Sequence, residues 1–139
     1  MRKWAWLALA AVLAAGLACE SSGGSAIGGS ESCNRSGSTG RCEGSYSKLS
    51  GTYGKTIEAD GVGSNDAIPV EITVSAEGGT VRVSVKDPDG TVASAEATPG
   101  NPATLSGTAA GSLDQFTVTF TAVDGDATGV TYIIAYEIP

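Results

Sequence analysis

Residues 68–90 read IPVEITVSAEGGTVRVSVKDPDG, and their period is two. Ile68, Val70, Ile72, Val74 and Ala76 alternate with Pro69, Glu71, Thr73, Ser75 and Glu77. Alternate side chains of a strand point to opposite faces, so this is a half-buried β-strand, with Pro69 tolerable near its start. Gly78-Gly79 turns the chain. Val81, Val83 and Val85 then alternate with Thr80, Arg82, Ser84 and Lys86. Asp87-Pro88-Asp89-Gly90 closes the stretch with turn chemistry: proline presets φ and glycine permits the tight exit.

The same pattern extends towards the C-terminus. Phe116, Val118, Phe120 and Ala122 alternate with Gln115, Thr117, Thr119 and Thr121. Asp124-Gly125-Asp126 is expected to turn the chain into a last strand of Val130, Tyr132, Ile134, Tyr136 and Ile138. Ile133 and Ala135 make that strand apolar on both faces, as a central strand would be. Weaker strands fit Thr52–Asp60, Thr91–Ala97 and Ala103–Ala109; the last two carry mainly alanine and suit a sheet edge. No stretch after Cys19 has a helical period. Seven to eight short strands with regular turn signals predict an all-β chain, an antiparallel, jelly-roll-like β-sandwich over residues 44–139.

Upstream, the chain begins MRKWAWLALAAVLAAGLACESSGG. Arg2 and Lys3 precede an uncharged apolar run, Trp4–Leu17, too short for the ~20 residues of a membrane-spanning helix but right for a secretory signal. Ala15-Gly16-Leu17-Ala18-Cys19 resembles the lipobox of bacterial lipoproteins, with Gly16 where that family usually has leucine. The resemblance implies a signal peptide over 1–18, lipid on Cys19, and attachment to the cell envelope. Glu20, not aspartate, after the cysteine points to the outer membrane of a Gram-negative cell. Ordinary cleavage would instead release a secreted protein. Residues 19–43, rich in Gly and Ser, read as a tether, because such residues bury too little apolar area to offset the entropy of ordering.

Composition narrows the function. The 139 residues include 8 basic and 15 acidic side chains and no histidine. Removal of Arg2 and Lys3 with the signal leaves six basic side chains and a net charge of about −9. That surface repels nucleic acid. With Cys19 lipidated, Cys33 and Cys42 are the one available pair, and an exported chain favours their disulfide. Without histidine or a free thiol, Ser-His-Asp and Cys-His catalysis are excluded, and the chain is expected not to be an enzyme.

Two ligand classes remain. Ca²⁺ takes about six to eight oxygen ligands, usually from loops. Asp87, Asp89, Asp124 and Asp126 lie in turns and are the candidate ligands, although aspartate beside glycine is also plain turn chemistry. No other cofactor is required. Carbohydrate binding on a sandwich uses aromatic platforms. Tyr132 and Tyr136 fall on the apolar face of the last strand. Tyr46 and Tyr53 lie outside the strong alternation, so they would either form an exposed platform or pack the first strand against the sheet.

The run from Val70 to Ile138 resembles the bacterial pre-peptidase C-terminal domain. Asp87-Pro88-Asp89-Gly90-Thr91 matches its D-P-x-G turn, and Val130-Thr131-Tyr132-Ile133-Ile134 is similar to its closing strand. Ser112-Leu113-Asp114-Gln115-Phe116 departs from the family's usual Gly before Tyr. The Golgi-dynamics domain has a similar pattern. The resemblance implies an accessory or binding module, in some relatives calcium-binding, with an envelope protein or polysaccharide as partner.

Overall fold

The computed structural model describes residues 24–139. The signal sequence, Cys19 and residues 20–23 lie outside the described residues. Nine strands follow: β1 (Ser25–Ile27), β2 (Ser30–Ser36), β3 (Thr39–Ser50), β4 (Thr52–Glu58), β5 (Ala67–Ser75), β6 (Gly78–Lys86), β7 (Val92–Ala97), β8 (Ala103–Ala110) and β9 (Gln115–Glu137). All pairings are antiparallel.

The two C-terminal strands expected from the sequence are one element. β9 runs for 23 residues. Straight, it would span ~75 Å at about 3.3 Å per residue, far beyond a domain whose radius of gyration is ~13 Å. It bends where a turn was expected. Asp124, Gly125 and Gly129 adopt φ of 59°, 116° and 56°, so the strand changes direction without leaving the hydrogen-bonded ladder. Its first part lies between β4 and β6, and its second between β3 and β5. β3 and β4 make the matching bend at Gly51, φ 63°.

Two sheets result, folded over a common corner. One has β3, β9, β5 and β8 in order, with β1 and β2 on the outer edge of β3; the other has β4, β9, β6 and β7. The fold of β9 onto itself shows in its aromatic side chains. Phe116 meets Tyr136 and Phe120 meets Tyr132, each pair with ring centroids 5.1 Å apart. Both pairs are symmetric about the corner. The core lies between the sheets and includes every apolar residue of the alternating runs from Ile68 to Val85. Each such side chain contributes roughly 1.5–3 kcal/mol of burial.

This is the antiparallel β-sandwich the alternation predicts, with two differences in its parts. Residues 25–43, read as tether, are strands β1, β2 and the start of β3. Their composition is a poor guide because their backbone groups pair with β3, and in β2 the disulfide adds a covalent tie. Cys33 and Cys42 face each other in the β2–β3 register and are bonded. The alanine-rich segments do lie at edges: β7 pairs only with β6, and β8 only with β5. Small side chains let the two edges close, with Gly107 against Val85 and Ala93. Ile133 and Ala135 sit half-buried on the outer face of a strand paired on both sides.

Candidate binding cleft

One row of three residues builds the site. Glu31 of β2 stands opposite Gly44 of β3, and Gly44 stands opposite Tyr132 of β9. Gly44 has no side chain, so the Tyr132 ring crosses it; a Cβ there would overlap the phenol oxygen. Tyr132 thus reaches the edge of the sheet and donates its hydroxyl proton to Glu31 Oε2 at 2.6 Å. The next row but one repeats the device, with Tyr136 lying across Gly40.

Lys55 approaches from the opposite sheet. On β4 the residues Tyr53, Lys55 and Ile57 alternate inward, so a lysine occupies a core-facing position near the sandwich edge. Its Nζ lies 2.7 Å from Glu31 Oε1, with the two side chains 23% and 25% exposed. Glu31 therefore joins the two sheets, one oxygen on Tyr132 and one on Lys55. Burial alone would lower the Lys55 pKa, but hydrogen bonding to Glu31 and its charge outweigh that and raise it. The Tyr132 phenol is pushed well above the ordinary tyrosine range, by burial first and by its hydrogen bond to Glu31 second.

Tyr46 completes the wall. It packs edge-on to Tyr53 at 5.7 Å and tilted on Tyr132 at 5.3 Å. Only 8% of it is exposed, and its hydroxyl is buried beside that of Tyr132. The Tyr132 hydroxyl beside it is turned to Glu31. Burial pushes the Tyr46 phenol up as well. Between these groups, Ser30 and Gly29 lies a cleft of about 220 Å³. A groove of about 430 Å³ shares Glu31 and Lys55 with it and continues along β4 to Glu58.

The structure thus brings Tyr46 and Tyr53 together, but not as a flat exposed platform: Tyr46 is core and Tyr53 is half-buried. Glu31, Lys55 and Tyr132 were not legible as site residues. The only sequence signals are a charged residue at an inward position of β4 and a glycine opposite a tyrosine, and the latter depends on knowing the register.

The four aspartates do not converge. Asp87 and Asp89 follow β6, whereas Asp124 and Asp126 form the β9 corner beside its start. The nine residues of β6 separate the pairs, roughly 25–30 Å at strand rise. Asp87 Oδ1 accepts the N–H groups of Asp89 and Thr91, both at 2.9 Å. Asp126 pairs with Lys48 at 3.2 Å, and hydrogen bonds from Ser50 and Lys48 hold its carboxyl low. Their chemistry is that of turns. Among the described residues no group of three His, Cys, Asp or Glu side chains could hold a metal ion.

No protein-family model matches the chain, and no curated protein matches it in sequence. Solved structures share some of its shape. Peruvianin-I, a cysteine peptidase from Thevetia peruviana latex, has 12% identity over 80% of this chain and 62% of its own, with a TM-score of 0.42. Oxalate oxidase in complex with the substrate analogue glycolate has 9% identity over 80% and 51%, TM-score 0.41. Pro-11S globulin of pumpkin has 19% identity over 80% and 26%, TM-score 0.41. The chain spans about three-fifths of the peptidase structure and half of the oxidase. A likeness this distant transfers neither chemistry nor ligand.

Proposed function

We propose that this chain is a non-catalytic binding module displayed at the cell envelope, held there by lipid on Cys19. The observation that carries the binding role is the cleft of Tyr46, Tyr53, Lys55 and Glu31. It offers hydrogen-bond donors beside aromatic rings, while both oxygens of its carboxylate are already engaged. The anchoring role rests on the lipobox-like Ala15–Cys19 stretch. One acyl chain holds a protein marginally, and two or more hold it stably.

The ordered β1 shortens the tether. Gly24 already donates its N–H to Thr52 O. Five residue steps from Cys19 cover at most ~18 Å, so the sandwich would lie close to the lipid surface. A polysaccharide is the favoured partner over a protein, because tyrosines line the cleft.

Two measurements test this. The intact mass of protein purified from its own membrane fraction is expected to begin at Cys19 and to include two or three acyl chains. An unacylated mass would show a free secreted protein and end the anchoring half. Co-sedimentation with insoluble envelope polysaccharide from the same cells is expected for the wild type and not for the Tyr46→Ala/Tyr53→Ala double variant. Equal sedimentation of both would end the binding half.

A further inference from the structure

We infer that β2 is a redox-released strand: reduction of Cys33–Cys42 by a dithiol frees it from the edge of β3 and dismantles the cleft. This device does not depend on what the cleft binds.

Burial gives β2 almost nothing to hold it. All seven of its residues are exposed. Its sequence, SESCNRS, has no aliphatic or aromatic side chain, so the apolar burial that fixes the other strands is missing. It pairs only with β3. Among the described residues, Glu31 is the one side chain of β2 bonded beyond β3 and the β2–β3 turn, to Tyr132 and Lys55. The covalent bond therefore carries much of the attachment. The chain also has a pivot at each end of β2. Gly28 and Gly37 adopt φ of 66° and 63°. Ser47 clamps Gly28 to β3, its N–H and its hydroxyl both donating to Gly28 O, at 3.3 and 2.9 Å. β1 thus stays in place while β2 swings.

The two sulfurs differ in access. Cys42 is fully buried. Cys33 is exposed and lines the groove of about 430 Å³ along β4. A thiolate of the reductant enters by that groove and attacks the Cys33 sulfur, because access decides which sulfur is attacked. The S–S bond breaks, and Cys42 leaves as a thiolate and takes a proton. The second thiol of the reductant then attacks its own sulfur in the mixed disulfide; Cys33 leaves in turn and is protonated. The dithiol is oxidised to a disulfide, and the protein gains two hydrogens. Once β2 swings away, Glu31 parts from Tyr132 and Lys55, and Ser30 and Glu31 no longer wall the cleft. The edge of β3 is left unpaired, as a template on which another strand can add.

The test is amide hydrogen exchange with peptide mass mapping on the mature protein purified from its own cells, before and after dithiothreitol without denaturant. Complete reduction, read as a gain of two hydrogens, is expected. Protection of residues 30–36 should fall about a hundred-fold, while that of β5, β6 and β9 changes by less than about two-fold. Iodoacetamide added to the reduced protein should label Cys42 as well as Cys33, and reoxidation before labelling should restore the protection of β2. A bond that resists dithiothreitol overturns the inference. So does unchanged protection of residues 30–36 once reduction is proven, or a Cys42 that stays unlabelled. Loss of protection throughout β5, β6 and β9 overturns it too, because the bond would then staple the whole sandwich and not one strand.

Discussion

Single glycines decide where the aromatic side chains of this sandwich lie. Gly44 lets Tyr132 cross β3 to Glu31, and Gly40 does the same for Tyr136. Gly54 has no such role: a Cβ there would meet only Thr117 Cγ2 at an ordinary 3.6 Å. The two positions should therefore respond in opposite directions to the same change. Gly44→Ala is expected to cost ~1–3 kcal/mol, the range for overpacking a filled site. Gly54→Ala, on an exposed strand position, is expected to be neutral or stabilising by up to about 1 kcal/mol, since glycine weakens a strand by roughly that much. Urea denaturation of the two variants beside wild type checks this. A Gly44→Ala midpoint equal to that of Gly54→Ala would mean the Tyr132–Glu31 contact can be rebuilt around a methyl group.

The element that organises the fold is β9, and its bend depends on a partner strand as well as on its own residues. Gly78-Gly79, at the start of β6, lies against the corner, where the β6–β9 register shifts. Gly79 has φ 77°, and a Cβ there would stand 2.5 Å from Asp126 O and 2.9 Å from Ala127 Cα. Those are backbone atoms and cannot swing aside. Left-handed strain of ~1–2 kcal/mol and the clash add, so Gly79→Ala is expected to lose ~3 kcal/mol. Gly125, also at the corner with φ 116°, has nothing near its Cβ position. Gly125→Ala should show the smaller loss, due to φ alone. Equal losses in thermal denaturation would place the constraint in backbone conformation and not in the packing of β6 on the corner.

At the scale of the whole molecule, the Glu31 bridge joins one sheet to the other, and its partners set the response to alkali. Tyr132, Tyr46 and Lys55 all have raised pKa values in the folded chain. The folded state then keeps protons that the unfolded chain releases. Stability from these groups is complete below the unfolded values, ~10 for tyrosine and ~10.4 for lysine. It is lost as pH rises through that range towards the folded values. Thermal melts from pH 8 to pH 11.5 should be flat to about pH 9.5 and then fall. In Tyr132→Phe the fall should be shallower. An identical slope would show that Tyr132 is not coupled to unfolding.

The alternation of Ile68–Ala76, Val81–Val85, Phe116–Ala122 and Val130–Ile138 determined the fold class and most of the core, because a period of two commits one face of every strand whatever its neighbours are. The alanine content of 91–97 and 103–109 likewise marked the edges. The cysteine count left one pair, and that pair is the disulfide. Local sequence could not separate a bend from a turn at Asp124-Gly125-Asp126, since both need the same positive φ. Nor could it reveal β1 and β2, whose order comes from backbone pairing with β3, the Cys33–Cys42 bond and the contacts of Glu31 with Tyr132 and Lys55. The cleft was the least legible part. Tyr46 and Tyr53 stood out by residue type, but Glu31, Gly44, Tyr132 and Lys55 become neighbours only through the register of three strands and the facing of two sheets. Burial is a property each residue carries in its sequence pattern; adjacency across a sandwich exists only once the chain has folded.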